Sequence, residues 1–182
     1  TNFAALPGMR ERTVLMSGVS KSFAMTGWRI GYVTGPQEII AAMTRLHSYL
    51  IMSAPTVSQA AALEALTNGE DDVAHMRAAY DDRRRLIVDG FNSLGLPTFE
   101  PRGAFYCFPG IHTTGMDAET FCERVLMEAH VAVIPGSAFG DSGKGFIRAS
   151  YTSSYENIET ALERIGGFLQ RNKLAAFSAL TA

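Results

Sequence analysis

The sequence is poor in cysteine, with Cys107 and Cys122 alone. Two thiols cannot build a disulfide scaffold, and this spacing suits neither a metal site nor a redox pair. The expectation is two reduced thiols in a cytoplasmic protein. Long hydrophobic runs are also missing: none reaches the roughly 18 residues that a membrane span needs. The first ten residues lack a basic start followed by an apolar core, so no signal peptide is expected. Charge of one sign is not in excess. The formal net charge of -2 gives no electrostatic case for nucleic acid or an anionic membrane surface. His47, His75, His112 and His130 are scattered, none at the helical spacing of a ligand pair, so no metal is expected. There is no internal repeat and no low-complexity segment. What is present is ordinary for a folded chain: 47% apolar and 19% charged residues. The length of 182 residues suffices for one domain or for two small pieces of a larger protein.

The apolar run Val14-Leu15-Met16 reads as a short buried strand, broken by Ser17-Gly18. A polar loop with Ser20, Lys21 and Ser22 follows, then a second strand over 28–33, closed by Gly35-Pro36. Pro36 suits the first turn of a helix, and Ile39, Ile40, Met43, Leu46 and Leu50 recur at helical spacing. Helices are expected over about 57–66 and 71–94. The second carries Val73, Met76, Tyr80, Leu86, Ile87 and Phe91 along one stripe. Beyond it the spacing predicts strands over 104–108, 131–134 and 146–151. Asp117 is expected to cap a helix reaching about His130. Ser153 with Glu156 fits a capping box opening a last helix. The fold class is α/β in two regions, 1–68 and 69–182. The first has too few strands to close its own sheet and reads as the end of a larger α/β layer; the second reads as a smaller α+β unit.

Chemistry concentrates around Lys21. Lysine taken from water and set near another cation gives up its proton more easily. Its neutral amine is a nucleophile toward carbonyls and can form a Schiff base. Arg29 lies eight residues on, and its planar fork suits a phosphate. Together they suggest a site for a molecule bearing an aldehyde and a phosphate. Taken singly, each residue reads as a solvated surface group.

The string from Ser20 to Tyr32, Ser-Lys-Ser-Phe-Ala-Met-Thr-Gly-Trp-Arg-Ile-Gly-Tyr, followed by Gly35-Pro36, is long and specific. It resembles the fold type I pyridoxal-phosphate enzymes, specifically the class I/II aminotransferases near the bacterial aspartate-aminotransferase group. Further matches follow in order. They are Ser58-Gln59 with the stretch 61–66, then Pro101-Arg102-Gly103-Ala104-Phe105-Tyr106. Next come Pro135-Gly136-Ser137-Ala138-Phe139-Gly140 and Ile147-Arg148-Ala149-Ser150-Tyr151. The resemblance covers nearly the whole chain. It implies that 1–68 is the last part of the large cofactor domain with the start of the interdomain helices, and that 69–182 is the small domain. Lys21 would carry pyridoxal 5'-phosphate and act as general base and acid. Arg29 would bind the cofactor phosphate, and Arg148 the α-carboxylate of an amino or 2-oxo acid. The resemblance also implies a homodimer in the full-length enzyme.

Two departures matter. Many relatives carry Ser or Thr where this chain has Gly18; the backbone N–H of Gly18, or the hydroxyls of Ser20 and Ser17, would have to serve instead. No arginine for a distal carboxylate stands near Ser53-Ala54-Pro55, so dicarboxylate specificity does not carry over. The ring-stacking aromatic, the acid at the pyridine nitrogen and the glycine-containing phosphate loop belong, by the same resemblance, upstream of this chain, which alone would be inactive or nearly so. Competing readings are a non-catalytic regulatory domain of the same fold, or another reaction on it, a β-lyase or synthase. The run from Gly140 to Gly145 has the look of a P-loop, but its spacing fails: Ala138 falls where the first glycine is needed, and Gly145 where Ser or Thr is needed. Of Phe105, Tyr106 and Phe139, core packing is expected for at least two.

Overall fold

A computed structural model describes residues 2–174. It divides into two compact units, with the boundary between Met76 and Arg77, inside one helix.

In the first unit, β1 (Leu15–Gly18) and β2 (Gly31–Thr34) form an antiparallel pair, in register from Leu15↔Thr34 to Gly18↔Gly31. The expected break at Ser17-Gly18 does not occur. Glycine faces glycine at that pair, so no side chain obstructs the ladder, and the strand runs on. Nor is β1 buried: Met16 is 72% exposed. A two-stranded ribbon has no second layer to hide an apolar face. The second strand starts three residues late, because residues 26–28 close a 3₁₀ turn first. Pro36 then caps α1 (Gln37–Leu50), and Pro55 caps α2 (Thr56–Asn68). Both prolines sit where a backbone N–H would find no helical partner. The small core of this unit is Val19, Met25 and Ala62, with Phe23 and Ile30 packed against it.

The second unit starts within α3 (Glu70–Ser93) and holds β3 (Tyr106–Cys107), α4 (Ala118–Ala129), β4 (Ile134–Pro135), β5 (Ile147–Ser150) and α5 (Tyr155–Arg171). The sheet is antiparallel in the order β3-β5-β4. Phe91, Leu96, Ile111, Phe121, Ile147 and Phe168 are fully buried in its core, with Phe121 edge-on to Phe168 at 5.8 Å. Asp117 caps α4 by accepting from the Thr120 N–H, and His130 closes it in the left-handed region. The α5 cap is Ser154, one residue beyond the expected Ser153: the Ser154 hydroxyl accepts from Asn157 N–H, and Ser153 accepts from the Asn157 side chain. The strand expected over 131–134 shrinks to Ile134–Pro135. Val131 and Val133 still pack on the core, without a ladder.

Burial pushes the Cys107 thiol from its ordinary 9.0 up to about 12. Burial, with Glu119 repelling the thiolate, raises Cys122 to about 11. Both thiols favour the neutral form in the folded chain. Their contribution is therefore complete below pH 9 and is lost as pH rises through the raised values. The urea midpoint is expected to fall between pH 9 and about 11, and to fall less steeply in Cys107→Ala. Parallel slopes for the two chains would refute a buried neutral thiol at position 107.

Candidate functional site

The connection from β1 to β2 is pinned by alternating anchors. Val19, Phe23 and Met25 point into the small core, and Phe23 N–H donates to the Val19 carbonyl at 3.1 Å. The residues between them must then face outward. Ser20 is half-buried and Lys21 exposed. Arg29 ends the 3₁₀ turn with φ 51°, and its Nη1 donates to the Thr26 carbonyl at 2.8 Å. Ala24, at φ 54°, is a second non-glycine residue in the left-handed region of the same loop. Such conformations are costly and persist where surrounding contacts impose them, often at functional sites. The Gly18↔Gly31 pair closes the base of the loop, so Gly18, Ser20, Lys21 and Arg29 share one end of the hairpin. A Cβ at Gly31 would lie 3.0 Å from the Ser17 carbonyl oxygen, so any side chain there requires the neighbouring strand to give by a few tenths of an ångström.

The charge distribution adds to this. No Asp or Glu occurs between Glu11 and Glu38, a stretch that contains Arg12, Lys21 and Arg29. The connection itself carries cationic side chains and no acid, which suits an anion. That signal was legible in the sequence without any structure.

Arg148 lies in the second unit, on β5. Ile147 and Ala149 turn into the core, so by the alternation of a strand Arg148 and Ser150 face the other way. Arg148 forms no salt bridge among the described residues. Its guanidinium carbon stands 4.2 Å from the Tyr106 ring centroid and 4.1 Å from that of Phe139. Phe139 is 46% exposed, so it is not core; Phe105 packs against the core, and Tyr106 is half-buried. The glycine-rich run from Gly140 to Gly145 is a turn between β4 and β5, with a short 3₁₀ segment over Asp141–Gly143. No helix among the described residues is long and apolar enough to cross a membrane.

Comparison with known proteins agrees along nearly the whole length. Residues 3–165 match the family described as aminotransferase class I and II. The Bacillus subtilis protein YugH is 50% identical over 171 residues, covering 94% of this chain and 44% of that protein. The aspartate aminotransferase of Pyrococcus abyssi is 46% identical over 175 residues, 95% of this chain and 45% of the relative. The solved structure of the aromatic aminotransferase from Pyrococcus horikoshii superposes with a TM-score of 0.86 at 46% identity, covering 93% of this chain and 46% of that one. The chain thus spans less than half the length of the curated relatives it matches. Its mixed helices and sheets are those of the α/β aminotransferase fold. The chain belongs to the class I and II aminotransferases.

Proposed function

We propose that this chain is the carboxy-terminal part of a pyridoxal-phosphate-dependent aminotransferase that moves an amino group between an amino acid and a 2-oxo acid. Residues 1–68 would end the large cofactor domain, and 69–182 would form the small domain. The observation that carries the reading is the acid-free hairpin holding Lys21 and Arg29 at one end. This donor set fits the cofactor: an amine for an aldehyde, with a guanidinium and a hydroxyl for a phosphate. When bound, pyridoxal phosphate supplies an electron sink that acidifies the substrate α-carbon.

The chain's own residues divide the remaining work. Lys21 Nζ holds the cofactor, then takes up and returns a proton at the substrate α-carbon. Arg29 has one nitrogen committed to the Thr26 carbonyl, which fixes the fork and leaves its other donors for the phosphate. Ser20 and the Gly18 backbone N–H, in or at the edge of the same β1–β2 connection, serve as further phosphate donors. Arg148 clamps the substrate α-carboxylate through two parallel N–H donors. The exposed apolar run Tyr49, Leu50, Ile51 and Met52 supports burial against a further surface. We assign that surface to the homodimer of a cytoplasmic enzyme.

The test is covalent trapping. The chain is incubated with pyridoxal phosphate, reduced with borohydride and mapped by mass spectrometry. Phosphopyridoxyl confined to Lys21 is expected; labelling spread over all amines would sink cofactor binding by this hairpin.

A further inference from the structure

Arg148 is a long side chain on an outward sheet face, yet it is held between two rings. Tyr106 pairs with Ser150, directly across from β5, so Tyr106 and Arg148 are diagonal neighbours on the same face. Phe139, at the end of the 3₁₀ turn Gly136–Phe139, sets a second ring against the guanidinium. Its ring is itself held edge-on by Phe108 at 5.9 Å and 84°. The two guanidinium contacts, at 4.2 and 4.1 Å, fall well within cation–π range.

We infer that Tyr106 and Phe139 are positioning residues that hold the Arg148 guanidinium between their rings and leave its N–H edge for a carboxylate. The inference rests on the proposed role of Arg148 as the carboxylate clamp. Free arginine loses considerable rotamer freedom when it binds, and a side chain already confined loses less. Neither ring contributes a donor to the ligand. Both act through Arg148 alone, and the low polarity they create strengthens its charge-assisted bonds.

The test uses the full chain and propionate, a carboxylate with no carbonyl to react at Lys21. Phe139 is exposed enough to be changed without opening the core. In Phe139→Leu, the Arg148 Nε order parameter from NMR is expected to approach that of the exposed Arg164. Propionate affinity, read at the Arg148 Nε–Hε resonance, is expected to weaken about tenfold. Phe139→Tyr keeps an aromatic face and should restore both, to within about twofold. Tyr106→Leu should repeat the loss, and Tyr106→Phe should not. Unchanged Arg148 order and affinity in both leucine variants would overturn the inference. A different result overturns the carboxylate reading beneath it: no propionate-dependent shift of the Arg148 Nε–Hε resonance in the wild-type chain. The order parameters in the leucine variants still decide the confinement in that case.

Discussion

Lys21→Ala is expected to remove site-specific phosphopyridoxyl labelling altogether, leaving only the background shared by other amines. The sequence makes this test unusually clean, because it contains three lysines: Lys21, Lys144 and Lys173. Lys144 lies in the turn between β4 and β5, exposed, with its Nζ 2.8 Å from Asp141. That carboxylate repels a phosphate, so Lys144 reports the rate of unassisted aldehyde attack. At Lys21 no acid stands within the hairpin, and Arg29 shares its open end. A phosphate bound at Arg29 makes attack by Lys21 intramolecular. Even loose tethering gives an effective concentration on the order of millimolar. With pyridoxal phosphate at tens of micromolar, Lys21 should therefore label at least about tenfold faster than Lys144. Two controls separate the tether from a merely reactive lysine. Arg29→Ala should bring Lys21 down to the rate of Lys144, and millimolar inorganic phosphate should do the same in the wild-type chain. If Lys21 labels no faster than Lys144, the hairpin does not recognise the phosphate.

How far these features could be read in advance depended on whether a local pattern or a distant partner decides them. The helices are local. The stripe from Val73 to Phe91, Pro36 and the expected helix over about 57–66 place α1, α2 and α3 to within a few residues of where they fold. The strands are not local. Residues 104–108 and 131–134 have strand composition, but a ladder exists only where β5 reaches, which leaves β3 and β4 two residues each. Gly18 looked like a terminator because its partner, Gly31, lies across the loop and cannot be inferred from Gly18 itself. The α5 cap slipped by one because Ser153 and Ser154 offer the same hydroxyl, and only backbone geometry chooses between them. At the candidate site, Lys21 and Arg29 share one loop and one recognisable string. The confinement of Arg148 needed residues from three separate segments, around 106, 139 and 148. Core packing is expected for at least two of Phe105, Tyr106 and Phe139, and composition does not choose among them. Phe139 is an exposed ring that packs against the Phe108 ring and the Arg148 guanidinium.

Gly136→Ala is expected to cost at least about 3 kcal/mol of folding stability, from overpacking against backbone together with a lost hydrogen bond. A Cβ at position 136 would lie 2.2 Å from the Gly143 carbonyl oxygen and 2.7 Å from that of Phe146. The converse substitution fares no better, since a Cβ at Gly143 would lie 2.1 Å from the Gly136 carbonyl oxygen. Every one of these obstacles is main chain, so no rotamer change relieves them. The two turn segments must separate instead, and separation breaks the 2.8 Å bond from Gly136 N–H to the Phe146 carbonyl. Gly136 is not held at positive φ, so the penalty is steric rather than conformational. Gly103→Ala is the matched control: nothing lies within 4 Å of its Cβ, and its stability should stay within about 0.5 kcal/mol of wild type. Urea midpoints of the two variants decide the matter, and equal midpoints would mean that the turn yields freely. The same contact bears on function. Gly136 begins the 3₁₀ turn that ends at Phe139, so prising it from Gly143 shifts one of the two rings around Arg148. Under conditions where Gly136→Ala remains folded, its Arg148 Nε order should fall as it does in Phe139→Leu. The glycine contact would then stabilise the unit and aim the carboxylate clamp through one and the same turn.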